Sequence, residues 1–193
     1  TRADAQMNTE NIVIVGSGVA GCEIASSLMK SGKHYAITMV SHENAGLYDK
    51  PSLSKLFLSG EKSILDITQK SPGDLQASGI KTFFSEPVIN IDTSSNTALL
   101  GDGRQLIYDK LILATGGRSK TLGIEGEGFR NVAYLRTLQD ALDIQAQLNN
   151  VQRIVIVGGG FVGLEVATSL RKLGKDVMVL ERSERLLNRL NSD

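Results

Sequence analysis

Glycines at two places in the chain carry the spacing that cradles a phosphate. Gly16, Gly18 and Gly21, with Ser17, Val19 and Ala20 between them, follow the β-branched run 11–15 and open an apolar helical pattern (Ile24, Ala25, Leu28, Met29) that stops at Gly32. A dinucleotide pyrophosphate needs close backbone approach and N–H donors at a helix N-terminus, and strand, glycine turn and helix in that order supply both. The first glycine makes the turn, the second leaves room for phosphate and the third lets the helix pack on the sheet. An acidic residue for the ribose follows about 20 residues on, at Glu43. The spacing then recurs. Gly158, Gly160 and Gly163, with Phe161 and Val162 between them, follow the run 153–157, and Glu181 stands directly after the run 176–180. A carboxylate there accepts from an adenosine 2′-hydroxyl and repels a 2′-phosphate, which favours NADH over NADPH. Arg182 and Arg185 pull the other way, because arginines are what a 2′-phosphate site uses. Two such motifs imply two dinucleotides, and the economical purpose is hydride transfer between a nicotinamide and a flavin.

These turns must be positioned by βαβ units. Runs 11–15 and 36–40 flank the first helix, and runs 153–157 and 176–180 flank a helix over 161–173, an internal repeat at long separation. Between them, residues 41–72 show no strand pattern but hold Pro51 and a short helical stretch, 53–58, which reads as a functional loop plus helix. From 81 to 113 short β-rich runs alternate with turn signals at Ser94-Ser95-Asn96 and Gly101-Asp102-Gly103, a β-meander inserted before the next main strand, 111–114. Residues 137–148 have helical spacing with Thr137 as N-cap and Asp140 in the first turn. The expected fold is α/β: a Rossmann-like FAD-binding domain with a β-meander insertion, then the start of a second Rossmann-like domain for NAD. The boundaries expected are a flexible tail (1–10), the first part of the FAD-binding domain (11–136), a linking helix (137–150) and the incomplete NAD(P)-binding domain (151–193). Two strands and one helix are too few for the second domain to close a core.

Composition removes other classes. In 193 residues, 21 Lys and Arg balance 21 Asp and Glu, so no broad basic field points to nucleic acid or an anionic membrane. Apolar runs fall far short of the ~20 residues that span a bilayer. One cysteine, Cys22, leaves no disulfide framework and no CxxC pair, and fits a reducing, cytoplasmic compartment. Cys22 shares a helix face with Ala25 and Met29 and is expected to be a small buried side chain. His34 and His42 have no ligand-like spacing, so no metal site is expected.

One further segment is more specific. Tyr48-Asp49-Lys50-Pro51-Ser52-Leu53-Ser54-Lys55 resembles the PYxRPxLSK stretch of FAD-dependent reductases in the pyridine nucleotide-disulfide oxidoreductase superfamily. The branch is the one that serves ferredoxins and rubredoxins and includes apoptosis-inducing factor. Ala114-Thr115-Gly116 matches its ATG motif and Leu135-Arg136-Thr137 its LRT segment, so the resemblance covers nearly the whole chain. It implies that Glu43 holds the FAD ribose, that Lys55 approaches the isoalloxazine, and that Val88 contacts adenine through its backbone. It also implies that Ala114, Thr115, Gly116 and Arg136 line the FAD site, and that Glu165 pairs with Lys55 beside the flavin. Taken alone, Lys55 and Glu165 read as a surface ion pair or two solvated charges. Two positions depart from the family: Lys50 replaces an arginine, losing its fork of donors, and His42 stands where an acidic residue is common. Both remain candidate cofactor contacts.

The resemblance implies a flavoprotein oxidoreductase that takes hydride from NAD(P)H, NADH favoured, onto FAD and passes electrons to a ferredoxin- or rubredoxin-type acceptor. A disulfide reductase would need a CxxxxC pair and a peroxide- or water-forming NADH oxidase a cysteine around residues 52–54; neither is in the sequence. Family members continue past this point, returning a Gly-Asp segment to the flavin and adding a C-terminal domain. The chain therefore reads as a front portion, completed by a missing C-terminal half or a homo-oligomer. The alternative is a truncated, non-catalytic FAD/NAD-binding subunit or sensor.

Overall fold

The structure, a computed structural model, describes residues 9–187; most of the expected tail 1–10 and residues 188–193 lie outside the described residues. β1 (Glu10–Val15), α1 (Val19–Lys30) and β2 (Tyr35–Val40) form the first strand–helix–strand unit. Then come β3 (Leu47–Tyr48), a 3₁₀ turn (Lys50–Ser52), a π-helical turn (Leu53–Phe57), α2 (Ile64–Ile67), β4 (Thr68–Lys70) and α3 (Pro72–Ala77). The strands β5 (Lys81–Phe83), β6 (Val88–Asp92), β7 (Thr97–Leu100), β8 (Gln105–Ile107) and β9 (Lys110–Leu113) follow. After an irregular stretch come α4 (Leu138–Leu148), β10 (Arg153–Val157), α5 (Phe161–Lys172) and β11 (Asp176–Leu180). The described residues fall into two compact units, 9–48 with 68–117, and 49–67 with 118–187.

The first unit is built on a parallel sheet of order β5-β2-β1-β9, with Ile14 opposite both Met39 and Ile112. Successive side chains of a strand face opposite ways. Ile12 and Ile14 therefore pack with Cys22 and Ala25 of α1 and Leu75 of α3, while Val13 packs on the other side with Val40, Ala98, Leu100 and Tyr108. That second face is covered by the antiparallel sheet β6-β7-β8. A strand buried on both faces favours β-branched residues, which fill run 12–15 and all of run 37–40 except Met39. Ile14, Met39 and Leu100 are fully buried, each stabilising the unit by roughly 1.5–3 kcal/mol. This is the α/β, Rossmann-like fold with an inserted meander that the sequence pattern predicts.

Two details differ from expectation. β5 joins the parallel sheet beside β2 and so lies outside the meander. Residues 41–72, expected to lack strands, contain β3 and β4 paired antiparallel with a register shift at Leu47/Tyr48. Strands of two and three residues are too short to show a two-residue period, and their pairing is non-local. Among the described residues no helix is long and apolar enough to cross a membrane, and no group of three or more His, Cys, Asp or Glu could hold a metal ion.

In the second unit β10 and β11 pair in parallel, Arg153 opposite Asp176 through Val157 opposite Leu180. Ile154, Ile156 and Val177 pack with Val166 and Leu170 of α5 on one side. A strand–helix–strand alone would leave this core open. The structure closes it with Leu58, just after the π-helical turn, and with Ile144 and Leu148 of α4. Thr137 caps α4 in a reciprocal box with Asp140, as its spacing predicts, and Lys175 Nζ donates to the Leu148 carbonyl at 2.5 Å and to that of Val151 at 2.8 Å. The opposite face of the ribbon stays bare: Val155, Val157, Met178 and Leu180 are 57, 58, 60 and 49% exposed.

Candidate functional site

The two glycine turns are copies of one device. Gly16 has φ +115° and its N–H donates to the Val40 carbonyl at 2.7 Å; Gly158 has φ +110° and donates to Leu180 at 2.8 Å. Such positive φ suits only glycine, so each strand leaves its sheet and turns directly into a helix. A Cβ on Gly21 would overlap the Gly16 carbonyl oxygen, and one on Gly163 would overlap that of Gly158, which is why the third glycine permits close helix–strand packing. At Gly18 and Gly160 an added Cβ would meet nothing within 4 Å.

Those open positions are also the N-caps of α1 and α5. Both are extended, neither supplies a side-chain cap, and neither helix has an acidic residue in its first turn. The contrast with α3 and α4 is informative, because Ser71 with Asp74 and Thr137 with Asp140 form complete capping boxes there. The chain caps α2, α3 and α4 with its own side chains, Ser63 and Asp66 exchanging such bonds at α2, and leaves α1 and α5 with bare N–H groups and the positive end of the helix dipole beside empty space. A pyrophosphate fits that space and those donors.

Around the first turn, the carboxyl ends of parallel strands converge, where ligands of open α/β sheets bind. Ser17 Oγ donates to Ser41 Oγ at 2.9 Å and to the Ala45 carbonyl at 3.0 Å, and Tyr48 OH donates to Glu43 Oε2 at 2.6 Å. Ala114 follows β9 with its N–H on the Val15 carbonyl at 2.8 Å, ahead of exposed Thr115 and Gly116. Val88 opens β6, half-buried, and His42 is exposed. Thus Gly16 to Gly21, His42, Glu43, Val88 and Ala114 to Gly116 share one unit, whereas Lys50, Lys55 and Arg136 belong to the other.

Around the second turn, Glu181 Oε2 accepts from the Gly159 N–H at 2.7 Å and Oε1 from the Ser183 N–H at 2.8 Å. The Ser183 N–H first, and the Gly159 N–H after it, hold the Glu181 carboxyl below the usual carboxylate range. Register makes Ser41, directly after β2, the counterpart of Glu181, directly after β11. Glu43 therefore sits two residues beyond that place. Phe161 and Val162, at the start of α5, are exposed beside the turn.

The same unit holds Lys55 and Glu165. Lys55 Nζ lies 3.2 Å from Glu165 Oε1, with the side chains 49 and 30% exposed, so the expected contact forms. Glu165 lies about one turn into α5. Ser54 Oγ donates to Glu165 Oε2 at 2.6 Å, and Ser169 Oγ donates to the Ser54 and Lys55 carbonyls at 2.8 and 3.1 Å. Sequence reasoning missed both serines. Glu165 and Ser169 share a helix face at i and i+4, a signal that could have found the second.

A sequence profile of the pyridine nucleotide-disulphide oxidoreductases matches residues 10–193. The chain belongs to that family. Among its pyridine nucleotide-disulphide oxidoreductase relatives, putidaredoxin reductase of Pseudomonas putida is 37% identical over 187 residues, covering 95% of this chain and 44% of the relative. Rubredoxin-NAD(+) reductase of Ectopseudomonas oleovorans is 35% identical over 179 residues, covering 93% of this chain and 46% of the relative. The crystal structure of the covalent putidaredoxin reductase–putidaredoxin complex superposes with a TM-score of 0.85 at 37% identity, covering 93% of this chain and 44% of that one. The chain thus spans less than half the length of these relatives.

Proposed function

We propose that this chain contributes two nucleotide sites to an FAD-dependent NAD(P)H oxidoreductase, residues 11–136 serving FAD, 137–150 linking, and 151–193 beginning the NAD(H) site. The observation that carries this reading is the repeated glycine turn, with a bare helix N-terminus and an open N-cap glycine in each copy. These residues would hold an FAD, which would supply hydride acceptance from NADH and electron release to a small ferredoxin- or rubredoxin-type protein.

The chain's own residues hold and orient. Gly16 to Gly21 offer backbone N–H groups to the FAD pyrophosphate, Glu43 and His42 face its ribose, Val88 its adenine, and Ala114, Thr115, Gly116, Lys50 and Arg136 complete its contacts. Gly158, Gly160, Phe161, Val162 and Gly163 do the same for NADH, and Glu181 accepts from the adenosine 2′-hydroxyl. Lys55, paired with Glu165, places positive charge at the flavin. Relatives named for putidaredoxin and rubredoxin support the acceptor class. The lone thiol, Cys22, is buried and fits a cytoplasmic setting. The test is NADH-dependent ferricyanide reduction with and without added FAD, alongside FAD titration of the chain. Reduction that requires FAD supports the reading; a chain that binds neither nucleotide overturns it.

A further inference from the structure

Lys55 and Glu165 present themselves to each other through two buried serines. Ser54 is 5% exposed, and its hydroxyl takes Glu165 Oε2 at 2.6 Å while Oε1 is left for Lys55 Nζ at 3.2 Å. A half-exposed ion pair is worth little and holds no fixed geometry by itself, because both long side chains keep their rotamer freedom. A short bond from a buried hydroxyl is different: it selects one orientation of the carboxylate. The backbone needs holding as well. Lys55 breaks the helical dihedrals, φ −115° and ψ −113°, inside the π-helical turn, and Ser169, 4% exposed, donates to the carbonyls of both Ser54 and Lys55 at this break.

We infer that Ser54 is a positioning residue that fixes the Glu165 carboxylate as the partner of Lys55, with Ser169 fixing the backbone that carries Ser54 and Lys55. The catalytic consequence rests on the flavoprotein reading, but the arrangement stands in the chain without cofactor.

The test is a double-mutant cycle of Lys55→Met and Glu165→Gln, read by urea unfolding of this chain with Ser54, Ser54→Ala, Ser54→Cys or Ser54→Thr. With Ser54 the coupling is expected to change the unfolding constant by about two- to five-fold. Ser54→Ala should bring it to near one, Ser54→Cys, a weak donor of similar size, should reduce it, and Ser54→Thr should restore it. Ser169→Ala should reduce it too, although it touches neither charged group. A general loss of stability shifts all four members of a cycle alike, so coupling that persists in Ser54→Ala, or in Ser54→Cys where the alanine variant fails to fold, overturns the inference. FAD titration of the same variants separates the two ideas. Coupling that collapses in a chain that binds no FAD leaves Ser54 in its role and removes the flavin reading. FAD binding with undiminished coupling does the reverse.

Discussion

On the proposed reading, the choice between NADH and NADPH falls to one carboxylate, Glu181. Its two backbone donors hold its carboxyl below the usual carboxylate range, and a unit charge facing a 2′-phosphate at close range costs on the order of 1 kcal/mol even in water-like surroundings. In a complete protein, Glu181→Ala should narrow the NADH over NADPH ratio of kcat/KM by roughly tenfold or less; an unchanged ratio would show that Glu181 is not at the ribose. The folded carboxyl titrates below its unfolded value of about 4.3, so its hydrogen bonds contribute above that value and are lost as pH falls through the lower, folded one. The nucleotide ratio should therefore stay flat between about pH 7 and 8, above both this carboxyl and the second ionisation of a phosphate monoester at about 6, measured by initial rates. At this scale the sequence was legible where chemistry demands one residue type. Glycines and Glu181 stood out by spacing, whereas Ser54 and Ser169 did not, because serine is common and their partners lie far along the chain.

The helices and turns predict a contrast between glycines only three residues apart. Gly18 has ordinary extended dihedrals and open space, so Gly18→Val should leave the circular dichroism and Tm of the cofactor-free chain nearly unchanged while abolishing FAD retention. Gly21→Ala puts a methyl group into the Gly16 carbonyl and should cost about 1–3 kcal/mol by urea unfolding. A Gly18→Val chain that purifies with full FAD would remove this turn from the cofactor site. The β6–β7 hairpin offers a pH probe: the Ser94 and Ser95 hydroxyls, with their backbone N–H groups, push the Asp92 carboxyl down to about 2. Its bonds to the turn are complete above the ordinary carboxylate range and are lost as pH falls through about 2, which a carbon-13 titration of Asp92 would follow. Long, periodic elements were readable in advance. β3 and β4 were not, since they exist only through non-local pairing, and the helical stretch read at 53–58 gave no sign of its break at Lys55.

At the scale of the whole molecule, the bare face of the β10–β11 ribbon sets solution behaviour. Val155 opposite Met178 and Val157 opposite Leu180 form a contiguous apolar patch on a two-stranded sheet. The chain should bind an apolar dye and associate at rising concentration, and Val155→Lys with Met178→Glu should reduce both in fluorescence and light scattering; no change would mean that the patch is covered in solution. The sequence anticipated a second unit short of core, but not that Leu58 and α4 supply the missing side, because that packing joins segments far apart in the chain. A second consequence comes from the two uncapped helices. With no net charge, the chain has no long-range attraction for anions, yet α1 and α5 each hold about half a positive charge at an open end. Any small anion that settles there only in the folded state adds stability by mass action. The melting temperature of the cofactor-free chain should thus depend on its buffer, rising with pyrophosphate at constant ionic strength.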